Sequence, residues 1–348
     1  MAAKRVTMQD IADACGLSRF TVSKVFNGNG SVPEATRRAV IAKAEELGYG
    51  KPAQGEKQAE QAEEPVRQRS VALLTQHKLL THNFGAYFLT SFTDQLSRKG
   101  YSLKLFEVSQ DEIAAKALPP HFERESVSGI LCIELFNRDY QNMIAGLGIP
   151  IVFVDGYAGV SRTIMNCDCV MMENSACILA LMNKLFSVGA ERIGFVGDKD
   201  HCYSFFQRWA GYFTALYENG IAFDPGVCIL DRDSDDYGRV DFYLDKLRAM
   251  PRLPDAFVCA NDYIAIHLMS AVKKLGLRIP EDVMITGFDG SPEASLVDPS
   301  LTTVSIQSSE IGKLSANVLN SRIMQPDRPY RRVFVLSTPV FAESTERK

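Results

Sequence analysis

The sequence predicts an α/β protein in two parts: a small three-helix head at the N-terminus and a large body of doubly wound parallel sheets. Three observations carry this. Helical periodicity with capping residues fills roughly the first fifty residues. A polar stretch over 50–69 holds no aromatic or large aliphatic residue except Val66. From residue 70 onward, short apolar runs alternate with amphipathic segments, the rhythm of strand-helix-strand units.

In the head, Thr7 suits the start of the first helix, with Asp10 placed three residues on for a reciprocal cap. Ile11 and Ala14 begin an apolar face. Gly16 ends that helix, where a left-handed backbone is cheap, and Ser18 caps the next. Val22, Val25 and Phe26 share one side of the second helix. The run Asn27-Gly28-Asn29-Gly30 breaks it. Pro33 fits the start of a third helix, along which Val40, Ala44 and Leu47 recur before Gly48. Helix, tight turn and capped helix within about twenty residues is the spacing of a helix-turn-helix.

The body predicts strands over 71–74, 103–106, 129–133, 151–154, 193–196, 256–259 and 283–288. Amphipathic helices are expected over 88–99, 179–188 and 265–275. About 280 residues exceed the usual single core, so two lobes are expected. The division read from the sequence is a head over 1–50, a linker over 51–69 and a body over 70–348. Its lobes would be 70–160 with 290–325, and 161–289 with 326–348.

Charge is distributed unevenly. The whole chain carries −4, but residues 1–52 hold eight basic against five acidic side chains, a local +3. A basic head on an acidic body suits a protein that touches phosphate only through its head. Hydrophobic residues at 46% and charged residues at 23% are ordinary for a chain with a sizeable core. No apolar run is long enough to cross a membrane, and the N-terminus lacks the apolar stretch of a signal peptide. No membrane association and a cytoplasmic location are therefore expected. The eight cysteines are scattered, with no CxxC and no neighbouring His at ligand spacing, so reduced thiols and no metal or other cofactor are expected. No GxSxG, HExxH, GxGxxG or GxxxxGK[ST] motif occurs, which argues against an enzyme.

Residues 7–49, through Val32-Pro33-Glu34-Ala35-Thr36-Arg37-Arg38 and Glu45-Glu46-Leu47-Gly48-Tyr49, resemble the head of the lactose-repressor (LacI/GalR) family of transcriptional regulators. Sparser markers continue the resemblance through the body: Gly148 to Asp155, Glu173-Asn174, Gly189 to Gly197, Arg208-Trp209-Ala210-Gly211, Ala260-Asn261-Asp262, Gly287-Phe288-Asp289 and Leu301 to Val304. The resemblance implies a sequence-specific DNA-binding regulator, in most cases a repressor. It further implies a periplasmic-binding-protein-like body that holds a small polar effector between its lobes, and a homodimer on a near-palindromic operator.

In the head, the resemblance places Arg19, Phe20 and Lys24 at the base-reading positions of the second helix, behind the capping Ser18. Arg19 can pair two-pronged with guanine, and Phe20 offers an apolar contact such as a thymine methyl. Lys24 stands where the family usually has Arg, which costs planar recognition. Thr7, Thr21, Ser23, Asn27 and Thr36 are implied to contact phosphates, which sets register without reading sequence. In the body, Asp155, Arg208, Asn261 and Asp289 are implied to line the effector cleft, beyond the strand ends where ligands of such sheets sit.

Three departures qualify the match. Asp233 stands in a loop where the family often places an aromatic, and the motif after the first strand is reduced to His82-Asn83-Phe84-Gly85. Sugar specificity is therefore not implied, and an effector that is a protein partner competes with a metabolite. The segment Pro52 to Ala59 lacks the Leu that family hinge helices wedge into the minor groove, and carries Gly55. Weaker DNA bending is expected from it.

Overall fold

The computed structural model describes residues 6–26, 32–47, 49, 69–76, 83–158, 167–232 and 235–347. The chain divides into two compact units, Met1–Val66 and Arg67–Lys348.

The first unit contains α1 (Met8–Cys15), α2 (Arg19–Phe26) and α3 (Glu34–Glu46). Thr7 and Asp10 form a reciprocal capping box: the Thr7 backbone N–H donates to the Asp10 carboxylate at 2.7 Å, and the Asp10 N–H donates to the Thr7 hydroxyl. Gly16 closes α1 at φ +65°, and the Leu17 N–H folds back onto the Ala12 carbonyl at 2.9 Å. The turn satisfies the carbonyls that α1 would otherwise leave open, and delivers the chain to Ser18. Ile11, Ala12, Val22, Val25, Val40 and Ala44 are buried together; Ala14, which the sequence reading placed on the apolar face of α1, is exposed, and Ala12 takes that position. Phe26 and Tyr49 close one end of this small core, with ring centroids 5.6 Å apart.

The second unit opens with a six-stranded sheet. Its strands are β1 (Arg69–Thr75), β2 (Tyr101–Glu107), β3 (Gly129–Ile133), β4 (Ile151–Val154), β5 (Asp168–Met172) and β10 (Arg332–Val335). They lie in the order β10-β5-β4-β3-β1-β2, and every pairing is parallel. The interior strands are buried on both faces, which explains their unbroken apolar runs. α4 (Asn83–Ser97) and α11 (Ser308–Met324) cover one face. α5 (Gln110–Ala115) and α6 (Arg138–Ala145) lie against the other.

A second parallel sheet holds β6 (Ile193–Val196), β7 (Ala256–Cys259) and β8 (Met284–Thr286). α7 (Ser175–Ser187), α8 (Tyr203–Glu218), α9 (Val240–Ala249) and α10 (Asp262–Lys274) enclose it around one continuous core. β9 (Thr303–Ser305) and β11 (Thr338–Val340) pair antiparallel where the chain passes between the lobes.

The lobe division differs from the sequence reading. β5 and β10 were assigned there to the second lobe but pair in the first sheet. The reason is local. β5 begins with a fully buried charge, Asp168, which breaks its apolar pattern, and β10 is an edge strand half open to solvent. Residues 290–302 go the other way. Ala294 and Leu301 sit in the second lobe's core, and Thr302 bridges to Thr286 of β8.

Candidate functional site

Two sets of residues were singled out, one in each unit. In the head, the Ser18 hydroxyl accepts the Thr21 N–H at 3.1 Å and lies 2.9 Å from the Thr21 hydroxyl. This cap fixes the start of α2, the helix that carries the reading positions. Arg19 is exposed at its first residue and has no ion-pair partner among the described residues. Ser23 and Lys24 are half-buried on the same helix. Thr36 is half-buried in the first turn of α3, beside the cluster in which Glu34 meets Arg37 and Arg38 at 3.8 Å each. The Thr7 hydroxyl is engaged by Asp10 at 2.6 Å, so its first task is the cap. Asn27 and the Phe20 side chain lie outside the described residues, as do Asp233, His82 and the linker over 51–68, while Arg69, read as the linker's last residue, already opens β1.

In the body, Arg208 is the centre. It lies on α8, is buried, and is held on several sides. Its Nε donates to Asn174 Oδ1 at 2.9 Å, and its Nη1 donates to the Ala260 carbonyl at 2.7 Å and pairs with Asp289 Oδ1 at 3.2 Å. The guanidinium lies 3.7 Å from the Phe288 ring centroid and 5.4 Å from that of Phe205. A planar cation stacked on a ring and hydrogen-bonded at its edge is rigidly oriented, which suits recognition. Asp289 follows β8 with φ +114°, a backbone state uncommon outside glycine. Its N–H donates to the Val304 carbonyl at 3.0 Å, which ties the site to the crossover strand β9.

Asn261 caps α10, accepting the Ile264 N–H at 2.9 Å. Asp262 beside it is buried, and it takes the Thr303 hydroxyl and, at 2.7 Å, the Ser291 N–H. Burial first, and the neighbouring Asp289 charge second, push its carboxyl up to about 7. Asp155 follows β4 and is buried at φ +63°. Burial raises its carboxyl above the usual range, against hydrogen bonds that pull it down.

The structure therefore joins Arg208 and Asp289 directly, with Asn261 next to the Ala260 carbonyl that Arg208 holds. Asp155 is tied elsewhere, to the first turn of α8. Sequence reasoning missed Asn174, which orients Arg208 while its own amide donates to the Met172 carbonyl at 3.0 Å and to Gln207 at 2.9 Å. The Glu173-Asn174 marker was its signal, without a role attached. All eight cysteines are unpaired. Among the described residues, no helix is long and apolar enough to cross a membrane.

A capped helix-turn-helix head on a chain whose larger unit is a two-lobed α/β body, in which a buried Arg208 pairs with a half-buried Asp289 after β8, defines a DNA-binding transcriptional regulator. Residues 7–51 match the model of bacterial regulatory proteins of the lacI family, and residues 182–345 match that of a periplasmic binding protein-like domain. The chain is 29% identical to the ribose operon repressor of Haemophilus influenzae, over 97% of this chain and 98% of that one. It is 27% identical to the transcriptional regulator CelR of Thermobifida fusca, over 92% of each. Among solved structures, a CelR–cellobiose complex matches with a TM-score of 0.70 at 25% identity, covering 98% of this chain and 100% of that one. A lac repressor dimer bound to operator and an anti-inducer matches in fold with a TM-score of 0.69 at 22% identity, covering 98% and 99%. Residues 7–51 thus carry a lacI-family DNA-binding domain, and along nearly its whole length the chain is similar to LacI/GalR-type transcriptional regulators.

Proposed function

We propose that this regulator acts as a homodimer on a near-palindromic operator, and that a small polar metabolite in the body's cleft modulates its operator affinity. The head would span 1–50, the linker 51–69 and the body 70–348, with the protein acting in the cytoplasm. One head contacts too few base pairs for useful selectivity, and a two-fold partner supplies the second half-site. Arg19, Phe20 and Lys24 are assigned to base edges, and Ser18, Thr21, Ser23, Asn27, Thr7 and Thr36 to the cap and to phosphates. No turnover is assigned to the body, whose family relatives are regulators.

The observation that carries the effector assignment is the Arg208–Asp289 pair, 3.2 Å apart, stacked on Phe288 and wired to the crossover strand through the Val304 carbonyl. Asp289 can accept from ligand hydroxyl or amine groups, and Arg208 and Asn261 can fix orientation. A carboxylate acceptor beside a cation that it already neutralises suits neutral or amine-bearing polar ligands. The complex of CelR with cellobiose supports a hydroxyl-rich compound as the first class to try.

Thermal-shift screening of the full-length protein with sugars, nucleosides and amines tests this. A ligand at a hundred times its Kd stabilises by about 2.7 kcal/mol. The expected result is at least one stabilising compound whose shift is lost in Arg208→Ala and Asp289→Ala, with operator binding retained in both. A hit that shifts the variants as much as the parent would place the effector elsewhere.

A further inference from the structure

We propose that the outer face of α8 is a self-association surface, on which a second copy of this chain docks with its own α8 running antiparallel. α8 is apolar on both sides. Its inner side buries Ser204, Arg208, Gly211, Tyr212, Ala215 and Leu216. Its outer side carries Tyr203, Phe206, Ala210, Phe213 and Tyr217, spaced alternately by three and four residues, which sets them in one stripe along the helix. The only charged side chains of α8 are Arg208, buried on the inner side, and Glu218, its last residue. A helix that is hydrophobic all round belongs in an interior. This one lies at the surface, with Phe213 41% and Tyr217 81% exposed.

Neighbouring rings widen the stripe into a patch. Trp209 meets Phe206 and Phe213, with centroids 6.1 and 5.6 Å apart, and Phe223, just beyond α8, meets Phe213 at 5.6 Å. Single exposed apolar residues are ordinary, but a contiguous aromatic patch marks a binding face. Protein interfaces concentrate Trp, Tyr and Phe at their centre and keep Lys and Glu to the rim. The distribution here is the same: aromatic rings along the middle of α8, with Lys199 before its start and Glu218 at its end.

The order of the stripe says what covers it. Read from either end, it runs Tyr, Phe, Ala, Phe, Tyr. A two-fold contact must be self-complementary, with the same surface on both copies. Antiparallel pairing about Ala210 brings Tyr203 of each copy to Tyr217 of the other, and Phe206 to Phe213. Ala210, the smallest side chain of the stripe, falls at the axis, where the helices come closest. The charges agree. Glu218 of each copy comes to the N-terminal end of the other's α8, where the helix dipole is positive. Lys199, which pairs with Asp200 at 2.6 Å, lies at that end over the Trp209 ring at 5.9 Å. Parallel pairing would instead set Glu218 against Glu218. The surface lies wholly within the second unit, so it stands independently of the operator and effector assignments; where the protein dimerises through another face, this one joins the dimers.

Sedimentation and fluorescence of the full-length protein, with no ligand or DNA added, test the contact. Trp209 is the chain's single tryptophan, so its emission reports on this face alone. Tyr217 is mostly exposed, so Tyr217→Asp leaves the core untouched. At micromolar concentration the parent is expected to sediment with at least about twice the mass of Tyr217→Asp. Acrylamide should quench Trp209 less strongly in the parent than in that variant. Phe213→Asp should weaken self-association at least about tenfold. Disulfide trapping reads the direction. Under mild oxidation, Ala210→Cys should join two chains through position 210, at the axis. Glu218→Cys should not join them through position 218, whose two copies lie about 24 Å apart in the antiparallel pair. Peptide mapping separates these links from any made by the native cysteines. Equal mass and equal quenching in the parent and Tyr217→Asp overturn the proposal, and would leave the patch to an unrelated partner. A link through position 218, or none through position 210 in a protein that does associate, overturns the antiparallel pairing.

Discussion

Asp168→Ala is expected to destabilise the body by about 3–5 kcal/mol, the usual cost of removing one partner of a buried ion pair. Asp168 is fully buried at the start of β5. Its Oδ2 accepts Arg322 Nε at 2.9 Å, and its Oδ1 accepts both the Arg331 N–H at 2.8 Å and Arg331 Nε at 3.2 Å. Arg322, itself buried, also donates to the carbonyls of Pro326 at 2.7 Å, Arg328 at 2.6 Å and Pro329 at 3.1 Å. One carboxylate thus joins the end of α11 and the turn after it to β5, beside the edge strand β10. Without it, the Arg322 charge stays buried with no carboxylate among its described partners, only carbonyl dipoles and the Tyr330 ring. Burial alone would raise the Asp168 carboxyl, but the hydrogen bonds from Arg322 and Arg331 outweigh this and hold it below the usual range. Its contribution is therefore present above the ordinary carboxylate range and is lost as pH falls through the depressed value. Urea unfolding at neutral pH checks the magnitude, and a loss under about 1 kcal/mol would show that the network is not an anchor.

Asp262→Asn should act in the opposite direction and depend on pH. With its carboxyl raised to about 7, the folded protein keeps a proton that the unfolded chain has already released. Between about pH 4 and pH 7 the native state binds more protons, so stability from this group falls as pH rises. At 1.36 kcal/mol per unit, the limit is about 4 kcal/mol. Asparagine has the same shape and stays neutral. Its oxygen can accept the Ser291 N–H, and its amide can face the Thr303 hydroxyl, which accepts as well as donates. The variant should match the parent near pH 4 and exceed it by roughly 2–4 kcal/mol at pH 8. Parallel pH profiles for the two proteins would show that Asp262 is ionised in the fold without penalty.

The head was legible in the sequence because its determinants are local. Thr7 meets Asp10 three residues away, Gly16 turns the chain at once, Ser18 meets Thr21, and a 3.6-residue period marks Ile11, Val22, Val25, Val40 and Ala44. The buried strands β3, β4, β6 and β7 were legible because burial on both faces leaves a plain apolar run. β5 and β10 were not. One opens on a charge whose partners lie more than 150 residues away, and the other is an edge half open to water. The cleft shows the same division. The family resemblance pointed to Arg208 and Asp289, which do meet. Nothing within a few residues of Asp155 could reveal that its carboxylate is committed to Ser204, 49 residues on. Asn174 was visible only as a marker, because its partner Arg208 lies 34 residues away on another helix.

The central claim is that this chain reads a specific DNA sequence through α2. Selection of binding sites from randomised duplex DNA by the full-length protein tests it most directly. The account predicts enrichment of a two-fold-symmetric site, bound at least about a thousandfold more tightly than a scrambled duplex. Arg19→Ala and Lys24→Ala should relax preference at particular positions, each by about 1–3 kcal/mol, whereas Thr36→Ala should weaken all sequences alike. No enriched sequence, or the same preference retained in the Arg19 and Lys24 variants, would contradict it.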